Sequence, residues 1–167
     1  FPTRRSSDLH LKQKKTDDAS LAFDYALRLL TDREYSRFEL YGKLSAKFSK
    51  TASLAALDKC VQENWQSDDR YAQVLLRHII SRGYGPLRFL LEARKKGLKS
   101  DSYRKYFDAV DWAETAKTFL AKKSSLLSLS DYKDRQKLLA SLARRGFSSS
   151  TCVQALRELS EQQSSGE

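Results

Sequence analysis

Residues 82–98 read RGYGPLRFLLEARKKGL, and residues 131–147, 49 positions later, read DYKDRQKLLASLARRGF. In register, Leu90 falls on Leu139, Lys95-Lys96 on Arg144-Arg145, Gly97 on Gly146 and Leu98 on Phe147. Each segment has the layout of one helix. In the first, Gly83-Tyr84-Gly85-Pro86 breaks whatever precedes it, and Pro86 falls in a first turn, where its missing amide costs nothing. Leu87, Leu90 and Leu91 form the apolar set, and Gly97 supplies a left-handed cap. In the second, Leu138, Leu139 and Leu142 precede the stop at Gly146. The same helix recurring at a fixed spacing is the mark of a repeat.

Outward from this pair, the rest of the chain reads with helical period. Tyr25-Ala26-x-x-Leu29-Leu30, Tyr71-Ala72-x-x-Leu75-Leu76 and Trp112-Ala113-x-x-Ala116 open three sets of helices. Ala22, Tyr25, Ala26, Leu29 and Leu30 stripe the first helix. Ser36 with Glu39 is a capping box for the second, striped by Leu40, Tyr41, Leu44 and Phe48. Leu54, Leu57, Val61 and Trp65 stripe a third. Asp68-Asp69 opens a fourth, where carboxylates face the positive end of the dipole, with Ala72, Leu75, Leu76 and Ile79. After the fifth helix at Pro86, Ser100 or Asp101 caps a sixth with Tyr103, Tyr106, Phe107 and Val110. A seventh carries Trp112, Ala113, Ala116, Phe119 and Leu120. Lys122 to Asp131 reads as a connector. The eighth is the second quoted segment, and the ninth holds Val153, Leu156 and Leu159. Nothing alternates with period two between turn signals, so no sheet is predicted.

The predicted fold is all-α, a tandem array of three three-helix modules, elongated and curved. The expected divisions are a leader at 1–18, modules at 19–66, 67–110 and 111–159, and a disordered tail at 160–167. The leader carries no periodicity, the chain has no methionine, and Phe1 to Leu9 resembles a translated sequencing adapter. Those residues are set aside as non-native.

With 167 residues and 40% hydrophobic content, the chain can bury a sizeable core without staples. No apolar run approaches the ~18–20 residues that span a bilayer. Cys60 and Cys152 sit in no close-spaced Cys/His pattern, which argues against zinc and for reduced thiols packed on helix faces. A cytoplasmic protein is expected.

The net charge of +10 is unevenly placed. Residues 82–99 carry +5 and residues 133–147 carry +4, against −1 over 16–81. Two local basic stretches call for an anionic partner, nucleic acid or acidic protein. Arg88, Glu92, Lys95 and Lys99 share one helix face, and Lys137, Ser141, Arg144 and Arg145 share another. Part of this is charge placed favourably at helix C-termini, worth at most about 1 kcal/mol each.

Catalytic constellations are missing. His10 lies in the leader, and His78 sits among apolar residues as a partly buried structural histidine. One usable histidine supports no Ser/His/Asp or Cys/His arrangement. Adjacent Asp68 and Asp69 point apart on a helix and suit a cation poorly. Gly83-x-Gly85 follows no strand and is no nucleotide fingerprint. No enzyme, cofactor or metal is expected.

Ser36-x-x-Glu39-Leu40-x-x-Lys43-Leu44, Asp68-Asp69-Arg70-Tyr71-Ala72, Arg82-Gly83-Tyr84-Gly85-Pro86-x-Arg88, Lys96-Gly97-Leu98 and Arg144-Arg145-Gly146-Phe147-Ser148 resemble, in order and spacing, the RecX regulatory proteins. The likeness runs from about Ala22 to Leu159. It departs at Phe48, which follows Lys47 where the family has glycine. It departs again at Asn64-Trp65-Gln66-Ser67, where the family has glycine-tyrosine-leucine. The resemblance implies tandem three-helix modules that lie in the groove of a RecA filament on single-stranded DNA and restrain its ATPase and strand exchange. It also implies a place in recombination control, DNA repair and the SOS response. The expected partners are therefore the RecA filament and the single-stranded DNA within it, bound by a monomer with no membrane contact. The residues assigned to the filament or DNA face are Arg82, Arg88, Lys95, Lys96, Lys99, Lys137, Arg144 and Arg145. The alternatives are a stand-alone basic DNA-binding helical repeat and a structural adaptor. Tyr103 or Tyr106 could serve as single-strand platforms, although their spacing with Phe107 favours core packing.

Overall fold

The computed structural model describes residues 15–166. Among them are nine α-helices and no strand: α1 (Ala19–Asp32), α2 (Arg37–Lys47), α3 (Lys50–Gln62), α4 (Asp68–Ser81), α5 (Pro86–Lys95), α6 (Ser100–Asp108), α7 (Trp112–Ser124), α8 (Tyr132–Arg144) and α9 (Ser149–Ser164). Oxygen-bearing side chains start most of them. Ser36 and Glu39 close the capping box on α2, and Ser49, Ser67, Asp111, Asp131 and Ser148 accept from the first turns of α3, α4, α7, α8 and α9. The cap expected at Ser100 or Asp101 is absent. Lys99 is the N-cap residue of α6 and gives no side-chain bond, while Asp101 sits in the first turn.

Helix ends are equally regular. Asn64, Gly83, Gly97 and Gly146 all have positive φ, from 60° to 94°. Around each, two amides bond back in the six-to-one and five-to-two pattern that satisfies the last carbonyls. Gly97 N–H reaches Arg94 O and Leu98 N–H reaches Ala93 O; Gly146 and Phe147 repeat this on Ala143 and Leu142. The 49-residue register is thus a register of identical helix endings.

The apolar residues gather in three cores. The first holds Ala22, Ala26, Leu40, Leu44, Phe48, Leu57 and Cys60. The second holds Tyr71, Leu76, Ile79, Phe89 and Leu98. The third holds Phe119, Leu120, Leu138, Leu142, Phe147 and Leu156. Each is closed by its first helix lying on its third: α1 on α3, α4 on α6, α7 on α9. Trp112 packs against both the second and third cores. No hydrogen bond or ion pair among the described residues links the first module to the third, so the modules follow one another in a row.

Several expectations need correction. On α5 the buried residues are Phe89 and Ala93, while Leu87, Leu90 and Leu91 are 59%, 37% and 48% exposed. Phe89 wins because its ring fills the space between Tyr103 and Phe107, at 5.2 and 5.4 Å; burying one such ring is worth ~2–3 kcal/mol. On α3, Ala52, Ala56 and Cys60 join Leu57 inside, where close contact with α1 favours small residues; Leu54 and Val61 face outward, and Trp65, beyond the end of α3, is exposed too. Val153 is exposed on α9, with Cys152 and Ala155 in its place. His78 is exposed.

The outer limits differ too. Residues 1–14 lie outside the described residues, but Lys15 to Asp18 are attached. Asp18 caps α1, Thr16 bridges to Phe48, and Lys15 donates to Ser45 O. The Lys122–Asp131 connector begins later, because α7 continues to Ser124 with Lys122 and Lys123 in its last turn. The tail expected from residue 160 is helical through Ser164, with Ser160 and Ser164 donating back to the i−4 carbonyls.

Candidate functional site

The predicted basic residues lie on the second helices of modules two and three and at the ends of their neighbours. What they do depends on how the modules join. The start of α5 has no side-chain cap. Its amides are instead satisfied by the end of α8: Gly85 N–H donates to Arg145 O at 2.8 Å, and Leu87 N–H to Gly146 O at 3.0 Å. A β-carbon on Gly85 would stand 2.5 Å from Gly146 O. The end of α5 also abuts the start of α2, here by close packing, with a β-carbon on Gly97 falling 2.7 Å from Phe38 Cβ. Phe38 and Leu87 are themselves 49 positions apart. The second helices α8, α5 and α2 therefore abut end to end, C-terminus to N-terminus, which also sets opposite dipole ends together.

Each joint is gripped by the cation just before its glycine. At the first joint Lys96 Nζ donates to Glu39 Oε1 at 2.5 Å, with Arg33 3.8 Å away from the same oxygen. Burial pushes the Glu39 carboxyl up, but the bond and charge of Lys96, the Ser36 amide and Arg33 outweigh it and hold the group below its usual range. Burial and that nearby carboxylate push the Tyr71 hydroxyl up to about 12. Asp68 Oδ1 accepts from Arg37 N–H, the first amide of α2, and Arg70 bonds Glu34, Asn64 and the Trp65 carbonyl. At the second joint the equivalent cation, Arg145, donates to Arg82 O at 2.7 Å and lies 4.2 Å from the Phe119 ring centroid and 5.0 Å from that of Tyr84. The first joint is ionic; the second is built from backbone and aromatic contacts.

The eight basic residues thus fall into three groups. Lys96 and Arg145 are joint residues, only partly exposed. Arg88 and Lys95 both pair with Glu92, at 3.3 and 3.4 Å, and Lys137 pairs with Asp134 at 3.1 Å. Arg82, Lys99 and Arg144 are exposed and form no ion pair among the described residues. Sequence reading missed Arg94, exposed in the last turn of α5 beside Leu90 and Leu91. It also missed the Lys122-Lys123 pair, whose signal was two basic residues in a last turn. The basic face of α5 is not set opposite a buried leucine stripe; it flanks an exposed one.

Cys60 and Cys152 are buried, and burial raises both thiols, Cys60 to about 11 with Glu63 adding to the effect. Among the described residues no group of three or more His, Cys, Asp or Glu could hold a metal ion. No described helix is long and apolar enough to cross a membrane. Asp69 accepts from the Tyr106 hydroxyl at 2.6 Å and from Lys105, which lower its carboxyl. Tyr103 and Tyr106 pack against the second core.

Comparison with known proteins agrees with this architecture. A model of the first three-helix domain of RecX matches residues 22–60, and one of the third three-helix domain matches residues 110–156. The chain is 41% identical over 109 residues to the regulatory protein RecX of Haemophilus influenzae, covering 63% of this chain and 72% of that one. It is 36% identical over 135 residues to that of Xanthomonas axonopodis pv. citri, covering 79% and 83%. With that of Stenotrophomonas maltophilia the figure is 32% over 155 residues, covering 91% and 95%. Among solved structures, RecX from Lactobacillus salivarius superposes with a TM-score of 0.75 at 23% identity, over 86% of this chain and 97% of that one, and shares the fold.

Proposed function

The chain belongs to the RecX family of regulatory proteins, and on that premise we propose that it restrains a RecA-type recombinase by lying along the recombinase filament formed on single-stranded DNA. A row of modules joined end to end offers an extended surface, which suits a polymer better than a pocket ligand. The observation that carries this reading is the exposed set Arg82, Arg94, Lys99 and Arg144, which forms no ion pair among the described residues. Both second helices place one of these cations in the last turn, Arg94 on α5 and Arg144 on α8. The exposed Leu90 and Leu91 between these cations favour a protein surface carrying carboxylates, because a bare phosphate backbone gives apolar side chains nothing to bury against. Lys96 and Arg145 serve this function indirectly, by fixing how successive surfaces are presented.

Co-sedimentation tests it. Recombinase filaments assembled on single-stranded DNA with a non-hydrolysable nucleotide should carry the protein down. The DNA alone, at the same salt, should retain little. Equal retention by bare DNA, with the steep loss on added salt that marks phosphate contacts, would point instead to a stand-alone DNA-binding protein.

A further inference from the structure

Between modules two and three lies a cleft of about 690 Å³, within the usual range for ligand sites. It is walled by the end of α4 and the α6–α7 crossing on one side and by α7 and its connector on the other. Its apolar lining comes from Ile80, Val110, Phe119 and Leu126. Leu126 is 83% exposed, the most exposed large hydrophobic side chain among the described residues. It lies on the connector, where no internal packing requires a leucine.

The charges around this lining are not balanced in effect. Asp111 is occupied as the cap of α7, and Glu114 pairs with Lys117 at 2.8 Å. Arg82 and Lys122, which also line the cleft, are exposed and form no ion pair among the described residues. The open chemistry is thus apolar surface with unspent positive charge. Stacking of a nucleobase is disfavoured, since Phe119 is 9% exposed and the Arg145 guanidinium already lies against its ring. We propose that this cleft is a docking site for a protein segment carrying apolar side chains and carboxylates. The apolar residues would sit against Ile80, Val110 and Leu126, and the carboxylates would meet Arg82 and Lys122. Because its walls belong to two modules, an occupied cleft also fixes the angle at the second joint.

The test uses the whole protein and three short fluorescein-labelled peptides, read by anisotropy. One alternates leucine and glutamate, the second replaces glutamate by lysine, and the third replaces leucine by serine. The leucine–glutamate peptide is expected to bind, and each control to bind about ten-fold more weakly or worse. Thr118→Trp, which places a bulky ring in the cleft, and Lys122→Glu should each weaken the first peptide by about the same factor. Both positions are exposed, so circular dichroism should stay unchanged. Binding that ignores both substitutions, equal binding of the lysine peptide, or no binding at millimolar protein would overturn the assignment. So would displacement of the peptide by an oligothymidylate whose own binding is lost in both variants, which would give the cleft to nucleic acid.

Discussion

Gly85, Gly97 and Gly146 are places where a side chain cannot be accommodated, and Gly42 is a place where one can. Gly97 and Gly146 have φ of +67° and +94°, and a β-carbon on Gly146 would lie 2.8 Å from Arg88 N. Gly97→Ala and Gly146→Ala should each cost about 2–3 kcal/mol, from left-handed strain plus displacement of the neighbouring module. Gly42 lies within α2, and a β-carbon there would meet nothing within 4 Å, so Gly42→Ala should stabilise by ~0.5–1 kcal/mol. Urea unfolding of the variants checks both signs. The glycines were legible as helix stops, because the 49-residue register marked them. Their second role, receiving the preceding module, was not legible, because Phe38 and Leu87 look like ordinary first-turn residues. Asn64 took the same backbone conformation where the sequence offered no glycine, which short polar side chains tolerate.

At the scale of the element, the two joints should answer differently to solution conditions. The Glu39 carboxyl is held below its ordinary value of 4.5. The fold therefore favours the deprotonated form, and that stabilisation is complete above about pH 4.5 and is lost as pH falls through the lowered value. Glu39→Gln should accordingly be less stable than the parent chain near pH 7, with the gap narrowing below pH 4.5. Thermal melts across pH read this directly. Lys96→Ala should cost about 1 kcal/mol, since the pair is only partly shielded from solvent, and the loss should shrink in high salt. Arg145→Ala removes a bond to a carbonyl and two ring contacts, so its cost should barely change with salt. Helix number, the Ser36–Glu39 capping box and the stops at Gly97 and Gly146 were readable because they follow local rules; the cap of α6 was not, since Lys99 takes that position without a side-chain bond. The face of α5 was not, since leucine count pointed one way and the larger ring of Phe89 decided the other. The ends of α7 and α9 were not legible, because Ser and Lys suit loops as well as last turns and serines bonding to i−4 carbonyls continue a helix.

For the whole molecule, three small cores in a row, each closed by its first and third helices, leave the second helices to form a spine. Family membership was visible through the resemblance of the chain's motifs to RecX proteins, and the helical repeat through the 49-residue spacing. The division of the basic residues was not, because Lys96 and Arg145 look identical in sequence to Lys95 and Arg144. Only the end-to-end contact of the second helices separates a cation that holds a joint from one that faces outward. Filament restraint through the outward set predicts that the parent chain slows DNA-dependent ATP turnover by a recombinase on single-stranded DNA. It predicts that Arg82→Glu, Lys99→Glu and Arg144→Glu combined abolish most of that effect while the helical circular dichroism is kept. Undiminished inhibition by the triple variant, or no inhibition by the parent chain at any ratio to recombinase, would contradict it.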